Sequence, residues 1–244
     1  MNIGDLERIA ARHWQAPDIG RLGEWWLRAA GGFTGRANSA LPVGDPGMPL
    51  PEAVDAVEAW YSERGLPPMI VLFAGDRPHP LEPLLAERAW VPRQDPAFVM
   101  TAAIADILSL GPAADVHLES EPDEAFMTLY RYRGQDLPPI AHTLLMSSPW
   151  QAFGSIRRDG RTVAVGRVSV ADGWAGLTAI QVDASCQRQG LGRAISIGLA
   201  AAAAEVGVRN ILLQVGVHNA PARALYFRCG FQDSHRYRYL LAPS

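Results

Sequence analysis

A short polar segment with two closely spaced glycines has residue types that could bind a diphosphate. Residues Gln187–Arg193 read QRQGLGR, between an apolar strand-like run and an alanine-rich run typical of a helix. Glycines at 190 and 192 let main-chain N–H groups converge on one point without obstruction from Cβ atoms. The helix dipole adds partial positive charge there, and the side chains of Arg188 and Arg193 can add ionic contacts. The segment is compatible with an anion site, although a plain tight turn would explain its glycines equally well.

The spacing of this segment differs from two common nucleotide-binding motifs. It contains QxxGxG rather than GxGxxG, and Ile211 and Leu212 stand where an acidic ribose-binding residue is expected. The chain contains no lysine, because all 22 of its basic residues are arginine. That excludes a GxxxxGK[ST] phosphate loop and a Schiff-base lysine.

A second motif follows the next strand-like run. Residues Asn219–Phe231 read NAPARALYFRCGF, with Tyr226 directly after a leucine and a Gly-Phe pair at the end. With both motifs, the chain resembles the GNAT N-acetyltransferase superfamily: QRQGLGR is similar to its acyl-CoA pyrophosphate loop, and the second motif to its N…A…LY…GF ending. The resemblance spans Val116 to Leu241, and GGFTGRANSALP (Gly31–Pro42) is more loosely similar to the amino-terminal module of two-module members.

The resemblance implies acetyl-CoA as cosubstrate and assigns its contacts. The strand before the loop would pair its main chain with the pantetheine arm, as an added strand does, and one N–H group would polarise the thioester carbonyl. Amides of the loop would hold the diphosphate. The implied coenzyme-binding residues are Ile180, Gln181, Val182, Gln187, Arg188, Gln189, Gly190, Leu191, Gly192, Arg193 and Asn219. For Gln187, a solvated loop position is an equal alternative.

The catalytic residue that the resemblance implies is Tyr226. Its phenol, with an ordinary pKa near 10, would protonate the departing coenzyme A thiolate. The alternative is a core aromatic on an amphipathic helix. The implied reaction is direct attack of a primary amine on the bound thioester, with proximity supplying much of the acceleration.

The sequence departs from the family pattern where a general base is often found. Some members place a glutamate five residues before the asparagine, and here that position is Gln214. Candidate bases are His218, whose side-chain type titrates near neutral pH, and Glu119 or Asp172. A water chain to bulk solvent is equally possible. The missing base leaves open a second function, a non-catalytic acyl-CoA-binding sensor or partner protein.

A covalent route through cysteine is the rival mechanism. The chain has two cysteines, Cys186 and Cys229, which are too few for a disulfide framework. Cys186 stands beside the loop amides, which could lower its pKa. A loop that holds a diphosphate would nevertheless leave this thiol far from the thioester.

The order of elements around these motifs predicts the fold class. Downstream of a Gly/Pro break at Ser109–Val116, strands and helices alternate, with a hairpin at Asp159-Gly160 and a helix over Leu191–Val206. Strands and helices in this mixed order indicate an α/β or α+β protein with a mixed sheet. The resemblance makes this the GNAT acyl-CoA N-acyltransferase fold.

The first half repeats this order of elements. Gly65 and Gly207 each close a helix, 142 positions apart, and Trp90 and Phe231 each follow the later helix, 141 positions apart. The offsets predict a duplicated fold, with a degenerate GNAT-like module over residues 1–110 and a catalytic domain over residues 115–244. Coincidence between two ordinary αβαβ runs is the alternative.

The predicted first module lacks the functional residues of the second. At the same offset, Leu85 takes the place of the tyrosine, and only one glycine lies in the turn Asp45–Met48. We therefore expect this half to shape the acceptor cleft or to serve as a scaffold.

Composition excludes several other classes of function. The net charge of −3 and a pI near 6.1 argue against a protein that mainly grips nucleic acid. The six histidines are scattered, so no metal site is predicted. The longest apolar run, Ala194–Ala204, is shorter than the ~20 residues of a spanning helix, and the first residues lack the apolar core of a signal peptide. We expect a soluble, cytoplasmic protein that acts on an amine-bearing small molecule or a protein amino group, not on a membrane.

Overall fold

The chain forms two compact units in the computed structural model, which describes residues 1–74, 79–94, 96–112, 115–132 and 134–243. Unit 1 comprises Met1–Val99, Gly216–His218 and Ser234–Ser244. Unit 2 comprises Met100–Val215 and Asn219–Asp233. The last strand of the chain therefore lies in the unit formed by the first hundred residues. That the two halves are copies of one fold stays a prediction.

The first half of the chain supplies most of unit 1. Its elements are α1 (Ile3–Arg12), β1 (Asp18–Leu22), β2 (Trp25–Ala29), α2 (Leu50–Ser62), β3 (Met69–Ala74), α3 (Leu81–Glu87), β4 (Val91–Pro92) and β5 (Ala97–Ala103), the last of which continues into unit 2.

Unit 2 carries both sequence motifs. Its elements are α4 (Ile104–Leu108), β6 (His117–Glu119), α5 (Glu124–Leu129), α6 (Ile140–Leu145), β7 (Trp150–Arg158), β8 (Arg161–Ala171), β9 (Trp174–Val182), α7 (Leu191–Glu205), β10 (Asn210–Gly216) and α8 (Ala220–Arg228). The chain then enters β11 (Gln232–Leu241), most of which belongs to unit 1.

Unit 1 is held together by residues that are far apart in sequence. β11 pairs antiparallel with β3, from Tyr237 opposite Phe73 to Leu241 opposite Met69. A buried pair ties β11 to α1, since His235 Nε2 lies 2.6 Å from Glu7 Oε1. The apolar core of this unit includes Leu85, which is fully buried.

The sheet of unit 2 is mixed, as predicted. Its strand order is β10-β9-β8-β7-β6; β9 and β10 are parallel, and the other neighbours are antiparallel. The β7–β8 hairpin turns at Asp159 and Gly160, whose φ angles of 49° and 76° suit a two-residue primed turn. The α/β class and the mixed sheet are confirmed.

Helix α7 packs on this sheet and positions the loop before it. Most of its side chains are buried, and it lies against β7, β8 and β9. The helix comes close to β8 at Gly166, where a Cβ would lie only 2.8 Å from Leu199 Cδ1. The helix predicted over Leu191–Val206 spans Leu191–Glu205 and ends before Gly207, whose φ is 85°. Across the described ranges, no helix has both the length and the apolar composition to cross a bilayer.

Candidate functional site

Two parallel strands part at the centre of unit 2. β9 and β10 are paired from Trp174 opposite Asn210 to Leu177 opposite Leu213. Beyond these pairs, β9 continues to Val182 and β10 continues to Gly216. Because strands present main-chain donors and acceptors along both edges, the last residues of β9 offer such groups on the side where β10 has left. An extended ligand could pair with them as an added strand.

A bulge in β9 lies just beyond this point. In the pairing with β8, Arg167 stands opposite Thr178, but Val165 already stands opposite Gln181. Ala179 and Ile180 therefore face the single residue between those two on β8. Ala179 has a φ of 55°, a left-handed value that is uncommon for a residue other than glycine. Such bulges bend a strand and redirect the groups that follow.

The glycine-containing loop connects the end of β9 to α7. Asp183 Oδ1 accepts a hydrogen bond from Ser185 N at 2.9 Å, which forms a short turn, and Arg188 and Gly190 have φ angles of 60° and 82°. Hydrogen bonds from the hydroxyl and the amide of Ser185 hold the pKa of Asp183 below its usual value and outweigh the opposite effect of burial. The charged carboxylate therefore accepts both hydrogen bonds of this turn.

The amides of the first turn of α7 suit an anion. The N–H groups of Leu191, Gly192 and Arg193 come too early in the helix to have an intrahelical acceptor. In the part of the chain that the structure describes, no side chain caps this helix. A Cβ on Gly190 would meet no atom within 4 Å, so there is open space beside the turn. These features, together with the helix dipole, are the ones that favour an anion.

The polar side chains of the loop have partners that the sequence did not indicate. The guanidinium of Arg193 donates to the carbonyl oxygen of Leu110. Arg158 donates to the side-chain oxygen of Gln189. Arg188 and Gln187 are exposed. Arg193 is thus an exposed residue whose guanidinium is bound within unit 2, and Arg188 is a second exposed arginine of the loop.

Asn219 begins the second motif as the cap of a helix. Its Oδ1 accepts a hydrogen bond from Ala222 N at 3.2 Å at the start of α8, and the residue is exposed. Capping by asparagine is common, so the structure gives this residue a local role that the sequence analysis did not assign.

Tyr226 lies in the interior of unit 2. It is 7% exposed, and its ring meets that of Phe231 edge-on at 5.7 Å. Burial, and to a lesser extent the nearby Cys229 thiol, raise the pKa of the Tyr226 phenol. The group therefore keeps its proton at neutral pH, which is the state that a general acid needs.

Helices α7 and α8 approach each other beside this tyrosine. A Cβ on Gly192 would lie 2.9 Å from Leu225 Cδ2. The second loop glycine thus allows close packing of the two helices, while the first adopts the left-handed turn.

A cleft of about 850 Å³ opens over the last residues of β9. Its walls come from α5 and the residues beside it, the start of β8 and the residues that follow Ile180. They are Asp123, Glu124, Ala125, Thr128, Leu129, Arg131, Arg161, Thr162, Gln181, Val182, Asp183 and Ala184. Gln181 and Val182 thus line a space of ligand size.

Two of the candidate bases lie away from the parted strands. Glu119 is three strands from Thr178 in the register of the sheet, about 14 Å at ordinary strand spacing, and its carboxylate lies 2.6 Å from His117. Asp172 is in the turn before β9, at the opposite end of that strand from the loop. Gln214 is half-buried near the end of β10, and His218 belongs to unit 1.

Sequence reasoning missed Arg167. This residue is fully buried in the middle of β8, where its guanidinium contacts the hydroxyls of Ser148, Ser169 and Thr178. The available signal was a single arginine inside the apolar run VAVGRVSV. A buried cation in such a run is costly, and that cost is a reason to look for a role.

Comparisons with known proteins identify relatives along the whole chain. Residues 1–240 match the family model described as "Probable histone acetyltransferase Rv0428c C-terminal". An uncharacterised N-acetyltransferase, YobR of Bacillus subtilis, is 30% identical over 97% of this chain and 98% of its own length. A probable histone acetyltransferase of Mycobacterium tuberculosis, Rv0428c, is 29% identical over 99% of this chain and 74% of its own.

Solved structures share the fold at lower identity. A GCN5-related N-acetyltransferase from Kribbella flavida superposes with a TM-score of 0.70 and 19% identity, over 100% of this chain and 97% of the other. A tandem GNAT protein from the clavulanic acid biosynthesis pathway superposes with a TM-score of 0.64 and 15% identity, over 98% and 89% of the two chains.

Proposed function

We propose, on the premise that this chain belongs to the family of GNAT N-acetyltransferases whose model spans residues 1–240, that it transfers an acetyl group from acetyl-CoA to a primary amine. Membership of the family implies acyl-CoA as the cosubstrate and an amine-bearing acceptor. The acetyl group, the primary amine, the ternary complex and the site residues are the proposal.

The observation that carries the proposal is the parting of β9 and β10 beside an uncapped helix. The pantetheine arm would pair with the main chain of Ile180, Gln181 and Val182, on the edge that β10 leaves. The diphosphate would meet the loop and first-turn amides from Arg188 through Arg193. Asn219 would contact the coenzyme from the start of α8, and Gln187 from the loop.

The proposed reaction is one displacement at the thioester carbonyl. The amine nitrogen attacks the carbonyl carbon, a main-chain N–H of β9 stabilises the developing oxyanion, and the C–S bond breaks. Tyr226 gives its phenol proton to the departing sulfur and regains one from solvent. The proton lost by the amine leaves through water in this proposal, because neither Glu119 nor Asp172 lies beside the parted strands. His218 stays a candidate base.

The acceptor class remains broad, and the lysine-free chain helps to test it. The Mycobacterium tuberculosis relative is named a probable histone acetyltransferase, so protein amino groups belong in the panel beside small amines. Because this chain contains no lysine, self-acetylation is confined to its own amino terminus. Stable acetyl amide at any position other than this amino terminus therefore reports on the added protein.

The test is coenzyme A release from acetyl-CoA over a panel of small amines and lysine-containing proteins. We expect turnover with at least one acceptor, and Tyr226→Phe to lower kcat by about 10²- to 10⁴-fold. Tyr130→Phe is the matched control. Tyr130 is also 7% exposed and lies in the same unit, and its replacement likewise removes one phenol hydroxyl.

Two results would contradict the proposal. Wild-type rates in Tyr226→Phe would refute the role of this residue as the acid. Tight binding of acetyl-CoA without product from any acceptor would support the alternative, a non-catalytic acyl-CoA sensor.

A further inference from the structure

We propose that Arg167 is a positioning residue for this reaction. Its buried guanidinium holds Thr178 and thereby sets the bulge that orients the main chain of Ile180–Val182. The geometric part of the inference stands on contacts within unit 2, and its consequence for catalysis rests on the proposed function.

The contacts of Arg167 join three parts of unit 2. The guanidinium lies 2.9 Å from Ser148 Oγ, between α6 and β7, and 3.2 Å from Ser169 Oγ on β8. It lies 3.3 Å from Thr178 Oγ1 on β9. The Ser169 hydroxyl in turn donates to the carbonyl oxygen of Gly176 at 3.4 Å. Arg167 is thus hydrogen-bonded to β9 directly through Thr178 and indirectly through Ser169.

The contact between Arg167 and Thr178 lies at the point where the regular pairing of β8 and β9 is interrupted. Arg167 and Thr178 are direct cross-strand partners, and the next residue of β9 is Ala179, with its φ of 55°. A left-handed alanine persists only where its surroundings over-determine the conformation. The fixed side chain of the preceding residue is one such constraint.

Loss of the bulge would change the site as a whole. Without the extra residue, β9 would pair with β8 in regular register, and a slip of one residue turns every following side chain to the other face. The N–H and C=O groups of Ile180–Val182 would also exchange edges, so those that face the departed β10 would turn toward β8. A bulge held in place is therefore a condition for the proposed coenzyme contacts.

The chemistry of the side chain fits this role. A guanidinium is charged at any pH at which the protein folds and carries five donors in a fixed plane. It can therefore bind several hydroxyls at once with little freedom of its own. An apolar residue would fill the same interior position without the cost of burying a charge, but it would not fix Thr178.

The experiment compares two hydroxyl deletions on the same guanidinium. Thr178→Val removes the contact to β9, and Ser148→Ala, the matched control, removes a contact to the segment before β7. We expect both to lower Tm. We expect only Thr178→Val to weaken coenzyme A binding and lower kcat, each by about tenfold, the factor typical of one hydrogen bond to a charged group. Arg167→Met should resemble Thr178→Val in both constants, and Arg167→Lys should recover part of the loss.

The conformation of Ala179 supplies a readout that is independent of activity. Its ¹³Cα and ¹³Cβ chemical shifts, measured without substrate, distinguish left-handed from extended backbone. We expect a shift toward extended values in Thr178→Val and Arg167→Met, and wild-type values in Ser148→Ala. The double variant Arg167→Met with Thr178→Val should be no worse than Arg167→Met, because the two residues act through one contact.

The outcomes separate this inference from the proposed function. Unchanged Ala179 shifts in Thr178→Val, or equal kinetic losses in Thr178→Val and Ser148→Ala, would overturn the positioning role. Altered shifts in a protein whose wild type transfers no acetyl group would uphold the geometry and overturn the function.

Discussion

Substitutions of Asn219 can separate its role as a helix cap from its proposed role as a coenzyme contact. Its Oδ1 caps α8 through Ala222 N at 3.2 Å, and its side chain is also a proposed coenzyme contact. Removing a cap of this kind costs about 1 kcal/mol, which in a chain of this size lowers Tm by roughly 2–4 °C. Asn219→Ala should therefore lose both the cap and the contact, whereas Asn219→Ser should keep the cap, since serine caps helices about as well as asparagine.

The two variants are compared by thermal unfolding and by titration with coenzyme A. We expect Asn219→Ser to retain the wild-type Tm to within about 1 °C, and both variants to bind coenzyme A about fivefold more weakly, the value of one neutral hydrogen bond. An equal loss of Tm in both would refute the capping argument. Wild-type affinity in Asn219→Ser with reduced affinity in Asn219→Ala would refute the direct contact.

Two further predictions concern ionisation and the loop glycines. Burial raises the pKa of Tyr61, Tyr226 and Tyr237. The pKa of each phenol is higher in the folded protein than in the unfolded chain, where it is near 10. The free energy of unfolding that these groups contribute is therefore complete below pH 10 and is lost as the pH rises above it. Absorbance at 295 nm should show these three ionising together with the loss of circular dichroism, and full ionisation before unfolding would contradict this. Gly190→Ala should weaken coenzyme A binding, since its Cβ enters the open space by the helix, and should lower Tm, since alanine is strained at a φ of 82°. The Cβ of Gly192→Ala would lie 2.9 Å from Leu225 Cδ2 and displace the residue next to Tyr226, so this variant should chiefly lower kcat. Titration and steady-state kinetics of both variants would expose a reversed pattern.

Local features of the fold could be predicted from the sequence. Asp159-Gly160 indicates a tight hairpin because both residues tolerate positive φ. The start of α7 follows from glycines that precede an alanine-rich run, and the predicted and observed helices agree to within one residue. Each of these features depends on residues that are close neighbours in the chain.

Features that depend on distant partners could not be predicted. The bulge at Ala179 carries no glycine to mark its positive φ. The neighbouring Thr178 is bound across the sheet by Arg167, a contact that the local sequence does not indicate. The same limit applies to β11, whose sequence predicts a strand but does not indicate that its partner is β3. The roles of the site residues and the boundaries 1–110 and 115–244 remain predictions.

The pairing of β11 with β3 and the contact between Glu7 and His235 mean that unit 1 can finish folding only after residues 100–233 have been synthesised. Residues 100–233 leave the ribosome before the strand that unit 1 still lacks. The first hundred residues must therefore wait, with one edge of β3 unpaired, until nearly all of unit 2 has been made. A nascent chain arrested after Asp233 would have α8 in full but would leave α1 without its histidine partner. A chain arrested at that point would therefore expose an edge of β3 that β11 otherwise covers.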